Sequence, residues 1–212
     1  MKTKKILALA MAAVLLVAVS VAGTLAYLVD FTTEVKNTFS TSEINVDLIE
    51  HDYTGKDEDK DGVGDLDTSK PVTEENDYQI IPGMDMAKDP TLSASSDVDY
   101  WVFVKVDIDN WPANKVSYTL AFDEDWDSFE IAGGATVYWT AKAANDPIED
   151  MSLLVGDVIT VDDELTKEEL AAIKTNGAPK MAFEAFACQQ YGFDDAEAAW
   201  TQLWAGTEGA IQ

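Results

Sequence analysis

Residues 98–109, VDYWVFVKVDID, decide the fold because they alternate in a way that buries two faces of one strand. Successive side chains of a β-strand point to opposite faces. One face here is wholly apolar: Tyr100, Val102, Val104, Val106 and Ile108. On the opposite face Trp101 and Phe103 are apolar, whereas Lys105 and Asp107 are charged and should be exposed to solvent. We therefore predict a central or facing strand of a β-sandwich.

Four more segments show the same two-residue period and are rich in β-branched and aromatic residues. They are SEINVDLIE (42–50), KVSYTLAF (115–122), TVYWTAK (136–142) and KMAFEAFACQ (180–189). In KVSYTLAF the alternation would place Val116, Tyr118, Leu120 and Phe122 on one face. Glycine and proline separate the segments, and strands do not alternate regularly with helices. The pattern predicts one mainly β domain, an antiparallel β-sandwich.

Two short helices are predicted near the C-terminus. Thr166 and Glu169 have the spacing of a capping box, and the helix that they begin should end at Gly177. A second helix should begin at Asp194, with its apolar side chains at helical spacing: Trp200, Leu203 and Trp204. This stripe of two tryptophans and a leucine is most simply interpreted as core packing.

The N-terminus has the parts of a secretory signal peptide. Three lysines lie within the first five residues, the segment 6–22 is apolar, and a motif of small residues ends at Ala26. We predict a signal peptide over 1–26 and cleavage between Ala26 and Tyr27, which leaves one domain over 27–212. The alternative is an uncleaved anchor, since residues 6–29 are long enough to cross a hydrocarbon core of about 30 Å.

The composition favours export and argues against nucleic-acid binding. The chain has 14 Lys and Arg against 40 Asp and Glu, a formal charge of −26 at pH 7. Without the three signal lysines the charge is about −29, which repels nucleic acids and anionic lipids and attracts divalent cations. Cys188 is the single cysteine. It cannot form an internal disulfide, so an exported protein must be stabilised by its core or by bound ions.

The segment DEDKDGVGD (57–65) is a candidate calcium loop. Its oxygen ligands stand at positions one, three, five, seven and nine: Asp57, Asp59, Asp61, the Val63 carbonyl and Asp65. Gly62 occupies position six, where such a loop turns sharply. Position twelve is Thr68 rather than a bidentate glutamate, so a non-EF-hand calcium loop is predicted. The alternative is a solvated acidic insertion over residues 54–77.

Four stretches occur in order along the chain: GTLAYLVD (23–30), NTFSTSEINVDL (37–48), IIPGMDMAKDPTLSASSDVDYWVFVKV (80–106) and AFACQQYGFDDAEAAW (185–200). Together they resemble the TasA and camelysin family of exported Gram-positive surface and biofilm-matrix proteins. The resemblance implies a jelly-roll-like sandwich, processing by a SipW-type signal peptidase, and self-assembly into extracellular fibres, with an accessory anchor or minor fibre protein as a further partner.

In that scheme residues 27–39 form a donor strand that completes the sheet of a neighbouring subunit. The Tyr27, Val29 and Phe31 side chains would fill a groove, because an edge strand has unpaired amides and carbonyls that a donated strand satisfies. The alternative is an ordinary first strand within the same subunit.

We therefore expect a secreted, non-catalytic fibre subunit of the extracellular matrix or cell surface. The alternative is a monomeric, calcium-stabilised binding or adhesion module. A metallopeptidase is a third possibility, but His51 is the only histidine and no H-E-x-x-H motif is present, so a two-histidine zinc site cannot be built.

Overall fold

The computed structural model describes residues 43–72 and 76–212. In these residues there are two α-helices, α1 (Lys167–Asn176) and α2 (Ala196–Leu203). The strands are β1 (Ile44–Tyr53), β2 (Val63–Gly64), β3 (Leu66–Val72), β4 (Asp85–Ala87), β5 (Thr91–Ser96), β6 (Tyr100–Asp109), β7 (Val116–Ser117), β8 (Asp127–Glu130), β9 (Thr136–Lys142), β10 (Ile148–Ser152), β11 (Val158–Val161) and β12 (Lys180–Gln189). The predicted mainly β fold with two short helices is confirmed. The signal peptide, its cleavage site and the segment 27–39 lie outside the described residues.

Hydrogen bonds join the strands into three groups of four, in the orders β10-β5-β1-β3, β12-β6-β9-β8 and β2-β4-β11-β7. The paired strands are antiparallel, except that β2 runs parallel to β4. The first two groups pack through a shared core that includes Leu92 of β5 and Val102 of β6. This packing of two antiparallel sheets is a β-sandwich.

Strand β6 is the centre of the sandwich. It pairs with β12 along ten residues and with β9 along seven. Tyr100, Val102 and Val104 are fully buried in the core between the two sheets. Trp101 and Phe103 point the other way, into a second core that contains Trp200 of α2. The two-faced burial predicted from residues 98–109 is confirmed, and α2 covers the second face.

The prediction that the Lys105 side chain is exposed to solvent is wrong. Its side chain is only 13% exposed, and Nζ donates to Glu184 Oε1 and Glu208 Oε2, both at 2.8 Å. Burial by itself lowers the Lys105 pKa, but the hydrogen bonds and charges of the two glutamates raise it overall. The C-terminal segment supplies Glu208, and strand alternation contains no information about a segment so distant in sequence.

The third group of strands packs with α1 around a separate core cluster. Its buried members include Met86, Val116, Ile159 and Leu165. The partly buried side chains of Leu170 and Ile173 attach α1 to this cluster.

Both helices begin with a side-chain cap. Glu169 N–H donates to Thr166 Oγ1 at 3.2 Å, and Glu169 Oε2 accepts the Thr166 N–H at 2.8 Å, so the predicted capping box is confirmed. The N-cap of α2 is Asp195, which accepts the Ala198 N–H at 2.7 Å, and not Asp194. Leu203 is 46% exposed rather than packed in the core. Among the described residues no helix is long and apolar enough to cross a membrane.

Two other segments differ from expectation. KVSYTLAF forms only the short strand β7 and an isolated bridge from Leu120 to Leu154, because its side chains divide between two cores, with Val116 in one and Phe122 at the other. The segment 54–77, expected as an acidic insertion, contains β2 and β3, and β3 pairs with the second half of β1.

Candidate functional site

The acidic loop is folded by its own carboxylates. The Asp57 carboxylate accepts the Asp61 N–H on Oδ1 and the Gly62 N–H on Oδ2, both at 3.1 Å. Asp59 Oδ1 accepts the Asp61 N–H at 3.2 Å, and Asp61 Oδ1 accepts the Val63 N–H at 2.8 Å. Gly62 has φ of 91°, a left-handed conformation that glycine adopts without strain. These bonds draw the acidic side chains toward one point.

The structure brings three of the predicted ligands together. Oxygen atoms of Asp57, Asp59 and Asp61 all lie within 4.8 Å of one another. Asp65 is not in this group, because its Oδ2 accepts the Glu58 N–H at 2.7 Å. Val63 belongs to β2 and pairs with Asp85 of β4. Hard carboxylate oxygens suit Ca²⁺, which takes six to eight oxygen ligands. The three carboxylates fit part of that shell, and carbonyls or waters would have to supply the rest.

The three carboxylates repel one another. The Asp61 N–H hydrogen bond lowers the Asp59 pKa, but the negative charges of Asp61, Asp65 and Asp57, with partial desolvation, raise it overall above its ordinary value of 3.8. A cation held among the three side chains would remove this repulsion.

Tyr53 supports the base of the loop. Its ring is 6% exposed and stacks on Tyr78 with ring centroids 4.6 Å apart. A Cβ atom built on Gly64 would lie 2.2 Å from the Tyr53 hydroxyl, so only glycine allows the loop to cross the ring here. The hydroxyl is buried and has no hydrogen-bond partner among the described residues.

A second feature is the outer edge of β12. This strand is ten residues long, has no bulge and lies at the end of its sheet, with β6 as its one neighbour within the described chain. On β1, residues Ile44–Ile49 pair with β5 on one side, and β3 pairs only with the second half of the strand. Strands β1 and β12 approach within 8 Å of each other without forming hydrogen-bonded pairs, and the boundary between them is called the seam. Partly buried apolar side chains border this seam: Val46, Leu48, Phe183, Ala185 and Ala187.

The other outer strands of the two sandwich sheets, β3, β8 and β10, are protected. The pairing of β10 is interrupted by a register shift, and Asp150 in it has φ of 47°. Strand β3 shifts register against β1 and contains Pro71, which has no N–H. The C-terminal segment covers β8, where Gln212 N–H donates to the Glu130 carbonyl at 3.0 Å. Bulges, proline and covering segments are the usual means of preventing edge-to-edge association.

At one end of the seam a cleft of about 540 Å³ lies between Leu48–Glu50 of β1 and Lys180–Phe183 of β12. Lys88 and Glu50 form an ion pair in it at 2.6 Å, and Asn76 and Tyr78 also bind Glu50. None of these four residues was a predicted site residue. No periodic signal could have found them, because Glu50 and Lys88 are 38 positions apart.

His51, the single histidine of the sequence, lies near the end of β1. Its Nδ1 is 2.5 Å from Asp89 Oδ2 and its N–H donates to Asp89 Oδ1 at 2.9 Å. The imidazole is therefore already engaged with a carboxylate.

No family model, curated protein or solved structure matches this chain.

Proposed function

We propose that this protein is an exported, non-catalytic subunit of an extracellular matrix or cell-surface fibre. The observation that carries the proposal is the long, regular edge of β12, which within the described residues has no register shift, no proline and no segment hydrogen-bonded along it. An edge of this kind is a template for another strand.

The seam supports a strand donated by a neighbouring subunit. Main-chain hydrogen bonds to the part of the β12 edge that β1 does not approach would give affinity, and alternate side chains would pack against the partly buried apolar residues beside the edge. The segment 27–39, with Tyr27, Val29 and Phe31 at alternate positions, has the pattern that such a groove requires. The resemblance of the N-terminal stretches to TasA and camelysin proteins favours the same assignment.

Calcium is proposed as an assembly ion. Subunits that each carry about −29 charges repel one another when packed side by side, and salt screens this repulsion only in part. Asp57, Asp59 and Asp61 hold the closest group of carboxylates that the described chain offers to a metal. An ion bound there would remove negative charge at its densest point.

Processing and location follow from the N-terminus. We propose cleavage after Ala26 by a SipW-type signal peptidase, secretion to the matrix or cell surface, and an accessory anchor or minor fibre protein as a partner. Intact-mass measurement on the exported protein tests the first step. A mature mass that begins at Tyr27 is expected, whereas a membrane-bound form that retains residues 1–29 would contradict it.

Electron microscopy tests assembly. The chain 27–212 should form fibres, and the chain 40–212 should stay monomeric. A synthetic peptide of residues 27–39 should bind the chain 40–212 saturably and block fibre growth, while a scrambled peptide of the same composition should do neither. Monomers of both chains across a range of pH and calcium concentration would refute the proposal.

The second candidate is a monomeric, calcium-stabilised adhesion module, which the Asp57, Asp59 and Asp61 cluster favours. It predicts calcium binding and stabilisation without fibres. A metallopeptidase is disfavoured because His51, the single histidine, is paired with Asp89. Proteolysis that chelators abolish would reverse this assignment.

A further inference from the structure

The cleft contains a buried lysine held by one carboxylate. Lys88 is 5% exposed, and its Nζ lies 2.6 Å from Glu50 Oε2. The Tyr78 and Phe183 rings lie 5.1 and 5.7 Å from the same nitrogen. A buried charge pair is often no more stable than apolar residues of the same size, so this arrangement calls for a chemical explanation.

The other oxygen of that carboxylate holds a side-chain amide. Asn76 Nδ2 donates to Glu50 Oε1 at 2.7 Å and to the His51 carbonyl at 2.8 Å. Asn76 Oδ1 accepts the Tyr53 N–H at 3.0 Å. The amide is therefore fixed in one orientation, with its nitrogen toward Glu50 and its oxygen toward a backbone donor. Tyr78 donates its hydroxyl to Glu50 Oε1 at 2.8 Å and fixes the carboxylate.

We propose that Lys88 and Asn76 become joined by an intramolecular isopeptide bond, with Glu50 as the acid and base. Glu50 takes a proton from the Lys88 ammonium, and the free amine attacks Asn76 Cγ. The N–C bond forms as the Cγ–Nδ2 bond breaks: Glu50 gives its proton to the departing nitrogen, which leaves as ammonia, and takes a second proton from the attacking nitrogen. Ammonia then removes that second proton from Glu50 as ammonium. The products are a secondary amide and one ammonium ion, so the step needs no oxidant, reductant or cofactor.

Each of these roles has a group at the required atom. Glu50 Oε2 contacts the nucleophile and Oε1 contacts the leaving nitrogen, so one carboxyl can serve both proton transfers. The Tyr53 N–H is placed to stabilise the negative charge that develops on Asn76 Oδ1 in the tetrahedral intermediate. The aromatic rings beside Lys88 limit water, which would otherwise solvate the amine and compete for Cγ.

The bond would join the segment before β4 to the residue that follows β4, closing a loop of residues 76–88. It would also fix the cleft beside the seam between β1 and β12. A chain with the single cysteine Cys188 cannot make an internal disulfide, and an amide cross-link gives a covalent constraint that no reductant breaks.

Intact mass spectrometry of the folded protein, after its N-terminus has been identified, tests the proposal directly. Loss of one ammonia lowers the mass by about 17 Da from the sequence value. Trypsin should fail to cut after Lys88, and fragmentation of the peptide that contains both residues should locate the deficit at Asn76 and Lys88. The full sequence mass in folded protein, or a deficit located elsewhere, would overturn the proposal.

Variants then separate chemistry from folding. Glu50→Gln preserves the size of the side chain but cannot shuttle the proton, so the protein should have its full mass, as should Lys88→Met. Lys115→Met is the matched control, because Lys115 pairs with Asp162 and Glu169 and no amide side chain joins that pair; it should keep the deficit of about 17 Da. Near-UV circular dichroism identifies folded samples. A folded Glu50→Gln protein with the cross-link would refute the role of Glu50.

Discussion

Replacing Asp59 by Asn is the sharpest test of the acidic loop. Asp59 uses only Oδ1 to accept the Asp61 N–H, and Asn retains an oxygen for that bond. Asp57 is less suitable because both of its oxygens accept backbone N–H groups. The Asp59→Asn change therefore removes one charge from the cluster while the loop keeps its internal hydrogen bonds.

The stabilisation of the wild-type protein by calcium sets the size of the expected change in Tm. If the ion binds only the folded loop, calcium at about ten times its dissociation constant adds RT ln(1 + [L]/Kd), about 1.4 kcal/mol, to the free energy of unfolding. For a domain of this size that corresponds to a Tm increase of about 3–6 °C. Asp59→Asn should lose most of this increase, because the ion loses one of three carboxylate ligands.

Without calcium the same change should act in the opposite direction. The raised Asp59 pKa means that the folded loop disfavours the charged form, so removing the charge should leave the Tm unchanged or higher. The sign follows from linkage: stability falls as pH rises through a folded-state pKa that exceeds the unfolded one.

Calorimetric melting with calcium, with magnesium and with matched sodium chloride measures both effects. Asp97→Asn is the control, since Asp97 is exposed in a turn away from the loop and the change removes the same charge. It should keep the full calcium response. Equal calcium responses in wild type, Asp59→Asn and Asp97→Asn would refute a specific site and leave general screening as the explanation.

Four further changes test the fold. Thr166→Ala removes the cap of α1 and should cost about 1 kcal/mol in urea unfolding; no loss would contradict the importance of the capping box. Trp200→Ala empties the second core, where Trp200 is fully buried, and should cost about 3–5 kcal/mol. Tyr53→Phe removes a buried hydroxyl that has no partner in the described structure, so urea unfolding should show equal or higher stability, whereas a clear loss would reveal an unseen partner. The hydrogen bond from Lys115 lowers the Asp162 pKa below its ordinary value of 3.8. The stability that this bond contributes is therefore present above pH 3.8 and is lost as the pH falls below that value. Lys115→Met should remove this part of the acid transition in a pH titration of Tm.

The cross-link between Lys88 and Asn76 would change how the effect of calcium on Tm is interpreted. A closed loop restricts the unfolded chain, so wild type and Glu50→Gln should be compared before any calcium response is attributed to the acidic loop alone.

The sequence by itself determined which face of the long strands is buried and where α1 starts. The two-residue period in residues 98–109 and in 180–189 predicted β6 and β12, because the face that a strand buries is recorded locally in its alternation. The capping box at Thr166 was equally local, since both of its partners lie within one turn. The spacing of Asp57, Asp59 and Asp61 likewise predicted a carboxylate cluster, because a short loop must bring them close.

Only the tertiary structure decided which strands are neighbours and which polar groups meet. Alternation shows that a face is buried but not which element covers it. The place of β12 at the end of its sheet and the pairing of Lys105 with Glu208 therefore could not be predicted. The group formed by Glu50, Asn76 and Lys88 assembles from three separate segments. Single polar residues carry no period, and their chemistry arises only when the fold brings Glu50 of β1 against the segments on either side of β4.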